Sequence, residues 1–477
     1  MGLKAITFAT KIMDAGEFEP GMDFESEENK SKLESDLSYM ATLGLSDPLR
    51  DEVAKSIEQL NDACTNVRIV SGDHRLAVIQ AGIALGMKED PKDEDNCMDG
   101  QVLLDLLKQN MEEAEDHEEG RGITWVFKNT EAKTWFKKQI RKKIVFVYRA
   151  SPELKHIFTA ALRNSGQVTG VTGEGLGDAR ALSEANVGFA MGKDGCDAAK
   201  DHADIIMMDD QFKTLVAAIR FGRNLQDNVR KFLQFQLTVN LTTLFFVIST
   251  VLILGHAPFN VVQLLWINII MDVLAAIAFS TEAPHPTDIP EDKVSPKDRI
   301  ITKPMMRQIL GQSLYQTLVM LFLLYLAPII GGYEYNLFTT EMRWHGMDTY
   351  RVLHQTFMFH AFVMMNLFNM INCRLIDPIP IVEPEPDEVS PEELEEIKEK
   401  NKPRFNIFTR PFANFWFWII LFAELNIQYF MIGYMAIGNF FSTTPLSFSM
   451  HITSVALALG SWAVCAMIKA SGPKFID

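Results

Sequence analysis

Six long apolar stretches in the second half of the chain limit its fold more than any other feature of its 477 residues. They cover residues 232–254, 261–280, 309–330, 356–376, 415–436 and 452–469. A helix needs roughly 20 apolar residues to cross ~30 Å of hydrocarbon. Six such stretches in succession, without amphipathic faces, do not suit the surface helices of a soluble protein. The sequence therefore predicts an all-α membrane domain of six transmembrane helices.

The basic residues orient this bundle. Arg230 and Lys231 precede the first span, and Lys293, Lys297, Arg299, Lys303 and Arg307 crowd the loop between spans two and three. Lys398, Lys400, Lys402, Arg404 and Arg410 lie between spans four and five, whereas the opposite loops carry only Arg343 and Arg351. Positive loops face the cytosol, so the segment before the bundle, both termini and the 377–403 loop are expected on the cytosol-equivalent side. That loop is acidic and proline-rich, with a short helix predicted from Ser390 and Pro391. Which membrane holds the chain is not written in the sequence. No secretory leader or myristoylation signal is read at Met1, so insertion is expected to rely on an internal helix.

Polar residues inside the spans are the first functional candidates. Asn240 and Thr243 fall in span one; Asn268 and Asp272 fall in span two, four residues apart and so expected on one helix face. A carboxylate at bilayer depth costs about 2.5–3.5 kcal/mol on insertion scales, which marks Asp272 as a cation-site candidate. Glu424 in span five is a second intramembrane acid, read as a packing or hydrogen-bonding residue, as are His354 and His360 near and within span four. The net charge of −16 argues against a nucleic-acid partner. The five scattered cysteines have no metal-ligand spacing and read as reduced thiols.

The region before residue 230 alternates strands, glycine turns and helices. Residues 67–73 (Val-Arg-Ile-Val-Ser-Gly-Asp) are an apolar strand ending in an acid, followed by a helix over 76–85. Residues 168–178 form a second strand and a glycine-rich turn ending in Asp178; further strands are predicted at 187–191 and 203–208. This pattern implies a doubly wound parallel sheet, with ligands bound beyond the carboxyl ends of its strands. Two acid-bearing turns together with Lys155 suit phosphoryl chemistry: carboxylates for Mg²⁺, a hydroxyl for a phosphoryl oxygen and a lysine for its charge.

These residues resemble the C-terminal half of a P-type ATPase, with the plasma-membrane-type calcium pumps as the nearest pattern. The resemblance rests on Asp47-Pro-Leu-Arg50, Ser71-Gly-Asp73, Asn96-Cys-Met-Asp-Gly100 and Lys155. It continues through 187–192 and 204–210, then 232–240 and 265–272, which look like the pump's fifth and sixth helices. It implies an incomplete HAD-like (Rossmann-type) phosphorylation domain over 46–215, preceded by a remnant at 1–45. A stalk and six-helix bundle would follow over 216–477, with a cytosolic insert at 377–403. It further implies Ser71, Asp73 and Lys155 as supporting positions, Glu174 and Asp178 as a degenerate Mg²⁺ site, and Asn240, Asn268 and Asp272 as part of a Ca²⁺ site.

The departures from the pattern matter as much. The family's Asp-Lys-Thr-Gly-Thr phosphorylation motif and Pro-Glu-Gly-Leu helix break do not occur in this sequence. Its hinge motif, Thr-Gly-Asp-Gly-x-Asn-Asp, reads here Thr172-Gly-Glu-Gly-Leu-Gly-Asp178. The sheet is expected to lack a central strand, with the edges covered by residues 1–55 or by a partner. Two functions follow as expectations. One is a catalytically inactive pseudoenzyme serving as a structural subunit of a membrane complex. The other is one chain of a split Ca²⁺ pump working with a complementary half. Neither catalysis nor tight ATP binding by this chain alone is expected.

Overall fold

The computed structural model describes residues 4–12, 26–45, 49–87, 96–116, 122–140, 144–255, 257–284, 299–325, 348–376 and 414–471. The 377–403 loop, the start of the motif at 47–50 and positions 326–330 of the third predicted span lie outside them. The chain divides into two compact units, Met1–Arg220 with Asp288–Asp298, and Phe221–Thr287 with Arg299–Asp477.

In the first unit, β1 (Lys4–Thr10), α1 (Glu27–Glu34) and β2 (Ser38–Leu45) form an antiparallel hairpin with a helical connection. Both strands are exposed and pair only with each other. Among the described residues these two strands satisfy their backbone groups with each other and not with the parallel sheets. Helix α2 (Asp51–Asp62) follows. Next come β3 (Ile69–Val70), α3 (Arg75–Ala84), β4 (Cys97–Asp99), α4 (Gly100–Asn110) and the hairpin of β5 (Met111–Asp116) with β6 (Gly122–Phe127). Then α5 (Thr130–Trp135), β7 (Phe146–Tyr148) and α6 (Pro152–Asn164) lead to β8 (Gly170–Gly173) and α7 (Ala179–Glu184). The unit closes with β9 (Val187–Met191), α8 (Asp197–Asp201) and β10 (Ile205–Met207).

The parallel strands make two sheets of three rather than one, in the orders β3-β7-β4 and β10-β9-β8. The strands at 69–70 and 170–173, which carry the two acid-bearing turns, are both edge strands. Each sheet has its own apolar core. Leu103, Leu107, Phe136, Val147, Leu154, Ile157 and Phe158 are buried on the first. Leu182, Ala190 and Ala199 are buried on the second, with a further cluster of Phe189, Met207 and Leu215. Helix α6 starts where the sequence dictates: Pro152 fills the first turn, and the Ser151 hydroxyl accepts from the Leu154 N–H at 3.2 Å.

The halves meet through a buried carboxylate. Glu184, 3% exposed, lies 2.9 Å from the Arg163 guanidinium and 3.3 Å from His156 Nε2. It also accepts from the Thr124 hydroxyl at 2.7 Å. Hydrogen bonds at helix level thus join what no strand pairing joins among the described residues.

In the second unit, helix α9 (Phe212–Leu254) enters from the first unit and runs for 43 residues. It is followed by α10 (Val261–Leu265), a π-helical segment at Trp266–Met271, and α11 (Asp272–Ser280). Then come α12 (Lys303–Tyr325), α13 (Asp348–Cys373), α14 (Phe415–Gly433), α15 (Met435–Phe441) and α16 (Phe448–Ala470). Among the described residues, four stretches are long and apolar enough to cross a membrane: Phe212–Ile253, Val261–Ser280, Phe415–Gly433 and Phe448–Ala470. Four of the six predicted spans are thus recovered by this measure.

The other two predicted spans carry more polar side chains. Helix α12 buries Gln308, Gln312, Ser313, Gln316 and Thr317, and α13 buries His360, Asn366, Asn369 and Asn372. These side chains face protein. Gln312 donates to the Ser461 carbonyl and accepts from the Ser461 hydroxyl, both at 2.9 Å. Asn372 donates to the Ser461 hydroxyl at 3.0 Å, and Tyr315 to the Leu457 carbonyl at 2.7 Å. Gly311 and Gly460 face Ile468 and Tyr315 with no room for a Cβ, so α12 and α16 pack closely.

Candidate functional site

The cytosolic candidates gather at the ends of β3 and β8. The Ser71 hydroxyl donates to Asp73 Oδ2 at 3.1 Å and accepts from the Asp73 N–H at 3.1 Å, so the turn is closed on itself. Two backbone bonds, Ala150 N–H to Ser71 O at 2.9 Å and Arg149 N–H to Asp73 O at 2.8 Å, fasten this turn to the end of β7. After β8, Asp178 folds back under the glycine turn. Its Oδ2 accepts from the N–H groups of Glu174 and Gly175, each at 3.2 Å, and Lys155 Nζ lies 2.6 Å from its Oδ1. The turn needs Gly173, because a Cβ there would stand 2.5 Å from that of Asp178.

This geometry bears on the metal that the sequence pattern implies. Both oxygens of Asp178 are taken by cationic or N–H donors, and Glu174 is exposed. Among the described residues no three His, Cys, Asp or Glu side chains converge as metal ligands. The residues present do not by themselves fit a Mg²⁺ site, and no chemistry is routed through one here.

A second carboxylate cradle was not singled out from sequence. Asp210 takes a left-handed backbone conformation at φ 55°. Its side chain accepts from Gly192 N–H at 2.6 Å, Lys193 N–H at 3.0 Å and Asp194 N–H at 2.8 Å. Arg50 donates to the Asp210 carbonyl and pairs with Asp194 at 3.3 Å. Beside it Asp209 accepts from the Thr214 hydroxyl at 2.7 Å and the Gln211 N–H at 3.1 Å, capping α9. Desolvation opposes the Asp210 charge, but the three N–H donors and Arg50 outweigh it and hold the carboxyl below its ordinary value. Thr214 and the Gln211 N–H do the same for Asp209.

For carboxylates shifted down on folding, the stability they lend is present above the unfolded value and lost as pH falls through the folded one. Asp210→Asn keeps size and tolerance of the left-handed conformation but removes the charge. Cleavage after Lys193 is expected to rise several-fold in this variant at neutral pH. In the unaltered chain it should rise only below about pH 4. Limited proteolysis across that range, with an acid-tolerant protease at the low end, checks both. Equal resistance at neutral pH would show that the charge is idle.

In the membrane unit Asp272 is 6% exposed, and its Oδ2 accepts from Gln236 Nε2 at 2.6 Å. Its Oδ1 and the Gln236 Oε1 have no hydrogen-bond partner among the described residues. Asn240 and Asn268 are exposed. Asn268 lies within the π-helical segment at Trp266–Met271, and Asp272 directly follows it. The side chain that does meet Asp272, Gln236, stands four residues before Asn240 on α9 and carries no separate sequence signal.

Comparison with known proteins agrees with this layout. Residues 256–382 and 396–471 match the family described as cation transporting ATPase, C-terminus. The chain is 31% identical over 487 aligned residues to plasma membrane calcium-transporting ATPase 1 of Gallus gallus, covering 100% of this chain and 35% of that protein. The human protein of the same name is 30% identical with the same coverage. Calcium-transporting ATPase 9, plasma membrane-type, of Arabidopsis thaliana is 30% identical over 438 residues, 91% of this chain and 34% of the relative. The chain thus spans about a third of the length of these relatives. With four helices apolar enough to cross a bilayer, it is an integral, multi-pass membrane protein.

Proposed function

Built on the C-terminal part of the plasma-membrane calcium-transporting ATPase plan, the chain, we propose, is the cation-carrying part of a P-type calcium transporter, silent in catalysis by itself. The observation that carries this reading is Asp272: a buried intramembrane carboxylate with one oxygen anchored by Gln236 and the other without a partner. An oxygen held this way at bilayer depth is suited to a hard divalent cation. Asn240 and Asn268 remain candidate contributors, on faces open to a further helix. Ser71, Asp73, Lys155 and Asp178 stand as supporting groups for a nucleophile supplied by other pump segments. The proposal includes six spans, with the phosphorylation-domain fragment, both termini and the 377–403 loop facing the cytosol.

A specific observation favours a second reading, a pseudoenzyme acting as a structural subunit among other membrane proteins: the full occupancy of Asp178 by Lys155 and backbone donors. Equilibrium binding of radioactive calcium to purified chain in lipid nanodiscs separates the two. Micromolar binding weakened at least tenfold by Asp272→Asn supports the transporter reading. No binding, or binding indifferent to that change, supports the structural subunit.

A further inference from the structure

We infer that Glu424 and Gln428 on α14 complete, with Asp272 and Gln236, an oxygen-lined site for a hard divalent cation inside the membrane unit. The inference rests on the transporter reading above and adds a helix and two side chains to it.

The register of α14 against α11 brings the groups together. Near one end, Asn414 Nδ2 donates to the Ala278 carbonyl at 3.0 Å, and the Phe417 and Phe279 rings sit 5.8 Å apart. Near the other, Gln263 Nε2 donates to the Phe441 carbonyl at 3.1 Å, and Asn260 Nδ2 to the Ser442 hydroxyl at 3.2 Å. The two helices are therefore antiparallel. Seven residues beyond Phe417 is Glu424, and seven residues before Phe279 is Asp272. At ~1.5 Å per residue both steps are about 10 Å, so the two carboxylates lie at one depth.

Burial makes this placement demanding. Glu424 is 2% exposed and Gln428 fully buried, one turn apart on a single face. Neither oxygen of Glu424 and neither polar atom of Gln428 has a hydrogen-bond partner among the described residues. Two facing carboxylates that share a single donor, Gln236 Nε2, oppose their own burial. One divalent cation would neutralise both and engage Asp272 Oδ1, Gln236 Oε1, Glu424 and Gln428 Oε1. All donors are oxygens, and water would fill the rest of the roughly 6–8 positions that calcium takes. No sulfur or imidazole is included, which disfavours softer transition metals.

The test uses the full chain in nanodiscs, with radioactive calcium and paramagnetic Mn²⁺ as probes. Glu424→Gln and Gln428→Leu are each expected to weaken both ions at least tenfold. Glu424→Asp, which keeps the charge but withdraws the oxygens, should give an intermediate loss. If Asp272→Asn weakens binding while the α14 variants do not, the inference is overturned and the transporter reading stands. If the unaltered chain binds neither ion, both fall. Should Glu424→Gln not fold, Glu424→Asp decides, and unchanged affinity there overturns the inference.

Discussion

Purified chain incubated with γ-labelled ATP or with inorganic phosphate is expected to carry no acid-stable, hydroxylamine-sensitive label. An aspartyl-phosphate needs an attacking carboxylate, and the groups around it only position metal and charge. Here the carboxylates at the strand ends are committed. Asp73 is bonded by Ser71, and Asp178 is held by Lys155 and two backbone N–H groups. Their bonding partners restrain them from attack. Loss of a nucleophile typically costs on the order of a millionfold in rate, so the expected signal is background. A stoichiometric label at any aspartate of this chain, abolished by changing it to asparagine, would sink the reading. A label that appears only when other pump segments are added, and on those segments, would fit it.

The second large effect concerns the joint between the two half-sheets. Glu184→Ala should open the first unit, because it leaves a buried arginine and histidine without their shared carboxylate. Removing one member of a buried, hydrogen-bonded ion cluster costs about 3–5 kcal/mol. At roughly 1.4 kcal/mol per factor of ten, the open form would gain on the order of a hundredfold or more. Thr124→Val, which deletes one hydroxyl donor, should cost only about 1 kcal/mol. Pulse proteolysis of the full chain reads both. Equal protection of Glu184→Ala and the unaltered chain would mean that the halves are held by something other than this cluster.

Strand positions were the most legible part of the fold. The stretches at 187–191 and 203–208 read directly as β9 and β10 because short apolar runs between turn residues leave few alternatives. The acid-bearing turns after β3 and β8 were equally visible. Division of the sheet into two was only half legible: a missing central strand was expected, but not the Glu184 joint, since Thr124, His156 and Arg163 converge from separate elements. No residue type announces the π-helical segment before Asp272. Glu424 was visible as an acid at depth, yet its facing Asp272 depends on helix register, which pairs residues about 150 positions apart in sequence.

The glutamines and asparagines of α12 and α13 carry a consequence for how the protein is made. A translocon releases segments sideways into lipid according to how apolar they are. On that criterion these two helices are poor passengers, since the amides of Gln312 and Asn372 are met by Ser461, which is synthesised later. They would have to wait beside the channel, or enter lipid as a set, until α16 arrives. Stopping translation before Phe448 should therefore leave α12 and α13 open to protease, while α9 and the Val261–Ser280 span stay protected. In this bundle the last helix made would license the insertion of two made before it.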